Sequence, residues 1–264
     1  MTPTSADVRP GNHKVDPWAG KRRLLAVADV QTGYHHDSIS HALATVERLG
    51  YESGAFVANI RTDSQLITKQ PIIGQGAKYQ GKSVNARNLD HYDALFLLPS
   101  GEGTLTLQQK EDLLTFIRDD GKGLVVGHAG LLGFYDWPEF GELIGGRMGG
   151  EFMGEVNVIV EQPSFPGAAA FGAQSFLFPE QYPILTAPYS REKVEVILRV
   201  APETVPSTAR AKRVDGDFPV VWTRRYGRGR VYHLSWGHHS ATWDDPRFQM
   251  LVTKGIEWAM GVSA

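Results

Sequence analysis

Cysteine is absent from this sequence of 264 residues. Its absence excludes disulfide bonds, zinc sites with thiolate ligands and catalysis by a cysteine nucleophile. Long apolar runs are absent as well: no stretch reaches the ~20 residues that span a membrane, and residues 1–20 lack the apolar core of a secretory signal. The net charge is only −2 with neutral histidine, which leaves no general positive field for a nucleic acid. We therefore expect a cytoplasmic protein whose partners include no nucleic acid and no membrane.

The rest of the composition is that of an ordinary globular protein. Hydrophobic residues make up 42% of the chain and charged residues 21%, which excludes wholesale disorder. At this length folding removes roughly 70–75% of the chain's surface from water, so a core forms without disulfides. We predict a flexible N-terminal arm over residues 1–20 and a single domain over residues 21–262.

In the first half of the chain, short apolar runs alternate with amphipathic segments. The runs predict four buried strands, at 24–29, 55–60, 94–98 and 123–127. The segments predict one helix over 38–49, which ends at Gly50, and another over 106–120, where Thr106 and Gln109 have the spacing of a capping box. This alternation predicts an α/β fold with a mostly parallel sheet and helices on both faces.

The second half of the chain is richer in strand patterns. Strands are predicted at 156–161, 194–200, 219–223 and 230–236, and the last two are joined by the turn sequence Tyr-Gly-Arg-Gly. A closing helix is predicted with Asp245 as its N-cap and Pro246 at its first position. The expected architecture is therefore a parallel α/β half followed by a β-rich half.

Histidines concentrate just beyond the predicted strand ends. Five of the nine lie there: His35, His36, His128, His238 and His239. Ligands of open parallel sheets bind beyond the carboxyl ends of the strands, so these imidazoles should converge at one edge. Imidazole can transfer a proton near neutral pH or bind zinc, iron or nickel. A lone histidine at a strand end is more often a structural residue, and Asp37 could serve only as a helix cap.

Acidic side chains are available beside these histidines. They are Asp37, Glu102, Asp136, Glu151 and Glu180. A carboxylate next to imidazoles can act as a general base, a metal ligand or an orienting partner.

Several sequence blocks point to one family. The blocks are TGYHHDS at 32–38, GH at 127–128 followed by FYDWP at 134–138 and GELIGG at 141–146, PEQY at 179–182, and PVVWTRRYGRGRV at 219–231 followed by GH at 237–238. Together they resemble the ThuA-like (trehalose-utilisation) family over residues 22–261. The resemblance implies a flavodoxin-like fold, that of class I glutamine amidotransferases. Amidotransferase activity itself is excluded, because the chain has no cysteine to form the thioester.

The resemblance also implies a set of functional residues. It carries onto His36, His128, Glu180 and His238, and His128 falls at the strand-to-helix corner where amidotransferases keep their cysteine. We expect these four residues to be catalytic groups or ligands of a divalent metal, zinc first among the candidates. Asp37 is expected to join the catalytic group as an orienting partner.

The function that the resemblance implies is the metabolism of trehalose, other disaccharides or their keto derivatives. The enzyme would be an isomerase, a lyase or a hydrolase that acts on a small sugar by acid–base or metal-assisted chemistry. The alternative is a sugar-binding protein without catalytic activity, in which a metal is purely structural. Homo-oligomers are compatible with the sequence. The substrate, the metal and the roles of His35, His239 and Glu151 stay open.

Overall fold

The computed structural model describes residues 19–84, 87–172 and 174–262, so residues 1–18 of the predicted N-terminal arm lie outside the described residues. The strands are β1 (Arg22–Val27), β2 (Phe56–Arg61), β3 (Ala94–Leu97), β4 (Gly123–Gly127), β5 (Arg147–Val160), β6 (Ser175–Thr186), β7 (Glu195–Val200), β8 (Pro219–Tyr226) and β9 (Gly229–Leu234). The helices are α1 (Ile39–Ser53), α2 (Leu107–Arg118), α3 (Pro138–Ile144), α4 (Ser207–Arg210), α5 (Ser240–Asp244) and α6 (Pro246–Ala259). Within this described part, no helix is both long and apolar enough to span a bilayer.

The strands form one sheet in the order β2-β1-β3-β4-β9-β8-β7-β5-β6. The pairings from β2 through β9 are parallel, and those from β9 through β6 are antiparallel. The α/β class is therefore confirmed, but the expectation of a mostly parallel sheet is wrong, since half of the pairings are antiparallel. Antiparallel strands need no helical crossover, so the β-rich half of the sequence extends the same sheet, with β8 and β9 as a tight hairpin and longer connections between the other strands.

The long β5–β6 hairpin is the main element that the sequence pattern did not predict. Only the second part of β5 was expected as a strand, and β6 was not expected at all. Pro179 and Pro183 lie within β6, and proline argues against a central strand because it lacks an N–H donor. The structure resolves this conflict by placing β6 at the edge of the sheet, where proline is tolerated.

Helices cover both faces of the sheet, as predicted. On one face, Leu24 and Ala26 of β1 pack in a core that includes residues of α1 and α6. On the other face, Leu25 and Val27 pack in a core that includes residues of α2 and α3. The alternation of β1 side chains between two buried layers explains why this strand reads as a continuous apolar run.

Two predicted helix starts are confirmed, and one predicted helix end is wrong. Thr106 and Gln109 form a complete capping box at the start of α2, and the Asp245 carboxylate accepts a hydrogen bond from the backbone N–H of Arg247 at the start of α6. Gly50 was expected to end α1, but the helix continues to Ser53 and ends at Gly54, which has a φ of 68°. A glycine is required at position 50 for close packing instead, because a Cβ there would lie 2.5 Å from the Phe56 ring.

A fully buried histidine lies in the centre of the sheet. His233 of β9 stands opposite Trp222 of β8, and the two rings stack with centroids 4.0 Å apart and planes 4° apart. Neither ring nitrogen of His233 has a hydrogen-bond partner among the described residues. Burial lowers the pKa of His233 to about 3, with a smaller contribution from His128. His233 is therefore a neutral ring that packs as an aromatic side chain.

This burial predicts a specific dependence of stability on pH. The unfolded chain binds a proton at His233 below pH ~6.5 while the folded chain does not, so stability falls as the pH drops below that value. Between pH 7 and pH 5 the loss from this one residue is about 2 kcal/mol. The His233→Phe variant keeps a stacked ring but cannot bind this proton. Between pH 7 and pH 5 we expect its free energy of unfolding, measured by urea denaturation, to fall by about 2 kcal/mol less than that of the wild type. An unchanged pH dependence in the variant would contradict this assignment.

Candidate functional site

Three histidines meet at the carboxyl edge of the parallel half of the sheet. His36 follows β1, His128 directly follows β4, and His238 follows β9. Because β1, β3, β4 and β9 run parallel, their carboxyl ends share one edge. The ring centroids are 4.5 to 5.3 Å apart, and one nitrogen of each ring lies within 4.8 Å of the others. The structure thus brings together three of the residues that the sequence indicated.

The orientation of the His128 ring is set by a backbone carbonyl. Its Nδ1 lies 3.2 Å from the carbonyl oxygen of Ser235. A carbonyl only accepts hydrogen bonds, so Nδ1 carries the proton and the lone pair is on Nε2. This Nε2 lies 3.2 Å from Nδ1 of His238. Burial lowers the pKa of His128 to about 3, and the neighbouring imidazoles add to this, so the ring stays neutral.

The backbone at His128 is strained. Its φ of 37° lies in the left-handed region, which costs a side-chain-bearing residue roughly 1–3 kcal/mol. His128 begins a short 3₁₀ turn that ends at Leu131 and packs closely on β4, since a Cβ at Gly130 would lie 2.0 Å from a methyl group of Val126. Such strain persists only where the surroundings hold it, and it is typical of functional positions.

The loop that carries His36 is joined to the loop that follows β3. Thr32 and Gly101 form a β-bridge, and the Ser100 hydroxyl donates to the carbonyl of Tyr34 over 2.5 Å. The Tyr34 ring packs edge-on against His36, with centroids 4.8 Å apart. The turn at Gly101 therefore brings the loop after β3 against the loop that carries His36.

The loop that carries His238 is held through the peptide groups of Gly237. The N–H of Gly237 donates to the Glu180 carboxylate over 3.1 Å, and its carbonyl accepts from the Ser38 hydroxyl over 2.8 Å and from the Trp243 indole over 3.1 Å. The Ser38 hydroxyl thus links the loop of His36 to the loop of His238.

Glu180 lies outside the group of three histidines. It is buried, and its Oε2 accepts from Gly237 and from the Thr242 hydroxyl, the latter over 2.6 Å. Its Oε1 accepts from the N–H of Gln181 over 2.9 Å. The carboxylate that was expected to bind metal or act as a base is therefore engaged in holding the loop of His238.

The other predicted residues flank the histidine group. Asp37 is exposed and lines a second cleft, of about 220 Å³, with His36 and His238. Burial is the main cause that lowers the pKa of His36 below 6.5, the charge of His238 adds to this, and Asp37 opposes it. His35 contacts the carbonyl oxygen of Val30. His239 is exposed, and its ring centroid lies 4.8 Å from that of His238.

The three histidines line a cleft of about 390 Å³. Its remaining lining residues are Tyr34, Ala129, Leu131, Leu132, Met148, Glu151, Met153, Gln181, Pro183 and Ser235. One wall of the cleft is the β5–β6 hairpin, which contributes Met148, Glu151, Met153, Gln181 and Pro183. Sequence reasoning missed Met148, Met153 and Gln181 because it did not predict this part of the hairpin. The alternation of buried Phe152 and Val156 with exposed Met153 and Glu155 is the signal that could have revealed it.

Comparisons with known proteins point in one direction. A family model described as ThuA, trehalose utilisation, matches residues 24–259. No curated protein matches the chain. Among solved structures, a ThuA-like protein from Bacteroides uniformis is similar, with 21% identity, a TM-score of 0.67, and coverage of 98% of this chain and 95% of that one.

Two further solved structures share the fold. A ThuA-like protein from Parabacteroides merdae has 16% identity and a TM-score of 0.65, with coverage of 91% of this chain and 90% of that chain. A cytoplasmic protein from Salmonella typhimurium has 12% identity and a TM-score of 0.57, with coverage of 89% and 98%. At such low identities these likenesses bear on the fold alone.

Proposed function

We propose, since this chain belongs to the ThuA family of trehalose utilisation, that it binds a small sugar in the histidine-lined cleft and acts on it in carbohydrate metabolism. The observation that carries this proposal is the meeting of His36, His128 and His238, from three separate loops, in one cleft. Residues that are distant in the sequence and converge on a cleft are the usual arrangement of an active site in such sheets.

A divalent metal fits this donor set. Three neutral imidazoles suit zinc, and the 3.2 Å between His128 Nε2 and His238 Nδ1 is close to the separation of about 3.3 Å that two nitrogens have on a tetrahedral zinc. The contact of His128 with the Ser235 carbonyl is the type of outer contact that orients a metal-binding histidine. When bound, the metal would polarise a sugar oxygen as a Lewis acid.

The number of ligands favours a catalytic metal over a structural one. Among the described residues, the group that could hold a metal consists of the three histidines, and Glu180 does not belong to it. Structural zinc sites close with four protein ligands, whereas catalytic sites keep a position open for water or substrate. We therefore propose an isomerase, lyase or hydrolase that acts on a sugar or keto-sugar by acid–base or metal-assisted chemistry. A non-catalytic sugar-binding protein with a structural metal is the alternative.

The parallel half of the sheet supports a finer assignment of the fold. The order β2-β1-β3-β4-β9 is that of flavodoxin-like sheets, in which strand order reverses beside β1 and ligands bind at that crevice. We propose that this half corresponds to the core of class I glutamine amidotransferases. We also propose a cytoplasmic location, in keeping with the similar Salmonella protein; homo-oligomerisation stays a prediction.

The proposal is tested by offering sugars to the zinc-loaded protein. We expect trehalose or a 3-keto disaccharide to bind in calorimetry and the keto-sugar to be converted in a time course followed by proton NMR. The His36→Ala variant should lose at least about 100-fold in rate, the lower range for removal of an acid–base group. Binding without conversion would favour the alternative, and neither binding nor conversion would contradict the proposal.

A further inference from the structure

The acidic residues near the histidines differ in what their carboxylates contact. Both oxygens of Glu102 accept backbone hydrogen bonds, from Tyr135 and Asp136, each over 3.0 Å. Both oxygens of Glu180 are likewise engaged. Asp37 lines the second, smaller cleft and not the one that holds all three histidines. Among the described residues, Glu151 is the acidic residue that lines the main cleft with the three histidines.

A local irregularity of β5 sets the position of Glu151. The register with β6 shifts between Met148 and Gly150, and Glu151 follows directly, opposite Pro183. A bulge redirects the side chains next to it, and bulges are common beside active sites. Beyond the bulge the hairpin pairs regularly for nine further residues of β5, from Glu151 to Ile159, so Glu151 stands on a rigid wall.

The carboxylate of Glu151 is free to act on a ligand. Residue Glu151 is exposed, and within the described ranges its carboxylate makes no hydrogen bond or ion pair. Met153 and Gln181 lie on the same wall of the cleft, where Met153 contributes an apolar group and Gln181 an amide. The three histidines line the same cleft, so a sugar bound there would have both imidazoles and a carboxylate around it.

We propose that Glu151 is the general base of this cleft, an assignment that rests on the proposed function. With a keto-sugar, the C–H bond beside the carbonyl breaks and its proton passes to a carboxylate oxygen of Glu151. The electron pair of that bond remains on the sugar as an enolate, whose oxygen faces the histidine group. For isomerisation, the proton of the α-hydroxyl passes to the enolate oxygen and Glu151 returns its proton to the former carbonyl carbon, so the carbonyl moves to the adjacent carbon. For elimination, the bond to a β-substituent breaks, and the departing oxygen takes up the proton from Glu151.

The test is solvent exchange in heavy water with a 3-keto disaccharide as the probe. The zinc-loaded wild type should exchange the protons beside the carbonyl for deuterium, which proton NMR detects as loss of signal. Glu151→Gln keeps the shape of the side chain but cannot accept the proton, so we expect exchange to slow by about 10²–10⁴-fold. Sugar affinity and zinc content should be unchanged.

The matched control is Glu155→Gln. Glu155 is an exposed residue of the same strand, four positions further along, and it does not line the cleft. We expect this variant to exchange as the wild type does. Exchange at the wild-type rate in Glu151→Gln would overturn the assignment of Glu151 alone. No exchange and no sugar binding by the wild type would overturn the proposed function itself, and the assignment with it.

Discussion

The His128→Ala variant should bind zinc more than about 100-fold more weakly than the wild type. Changes to outer partners of metal ligands already weaken metal binding by about 10–100-fold, so removal of a ligand should exceed that range. His128 is the most constrained of the three histidines, because its tautomer is set by the Ser235 carbonyl and its backbone is strained. Titration of the metal-free protein against a zinc chelator measures the affinity.

A matched control separates this effect from a general loss of histidine. His35 lies beside His36 but contacts the backbone carbonyl of Val30 instead of the histidine group. The His35→Ala variant should therefore bind zinc as the wild type does. If His128→Ala also kept wild-type affinity, the three histidines would not form a metal site.

The Glu180→Ala variant should be destabilised by about 3 kcal/mol. Its removal leaves the backbone N–H of Gly237 and the hydroxyl of Thr242 without their acceptor in a buried place, and each such group costs about 1–3 kcal/mol. For a chain of this size the melting temperature should fall by roughly 6–12 °C, which calorimetry can measure.

Two further variants show whether Glu180 positions the loop or binds metal. Glu180→Gln keeps an oxygen that can accept from Gly237, so it should restore part of the lost stability and keep most of the zinc affinity. Glu155→Ala removes an exposed carboxylate nearby and should change stability by no more than about 0.5 kcal/mol. A Glu180→Ala protein that melts with the wild type, or a Glu180→Gln protein that no longer binds zinc, would contradict the positioning role.

The parts of the fold that follow local rules could be predicted from the sequence. Buried strands such as β4 (Gly123–Gly127) read as apolar runs, and the caps of α2 and α6 depend on neighbouring residues. The meeting of the histidines could be predicted for a related reason. Once β1, β4 and β9 are placed in one parallel half, their carboxyl ends share an edge whatever the rest of the chain does.

The parts that failed depend on contacts between distant residues. Gly50 reads as a helix stop until Phe56 is seen against it, and β6 reads as a loop until its place at the sheet edge is known. For Glu180 the sequence offered only the family resemblance, since the donors to its carboxylate, Gly237 and Thr242, lie 57 and 62 residues away. No local pattern reports that its oxygens are already engaged.

The metal content of the untagged protein shows whether the three histidines form a zinc site. After incubation with zinc and dialysis, elemental analysis should find on the order of one zinc per chain in the wild type, since three histidines form one site. The variant in which His36, His128 and His238 are all alanine should retain almost none. Equal zinc in the two proteins, or none in the wild type, would contradict the account.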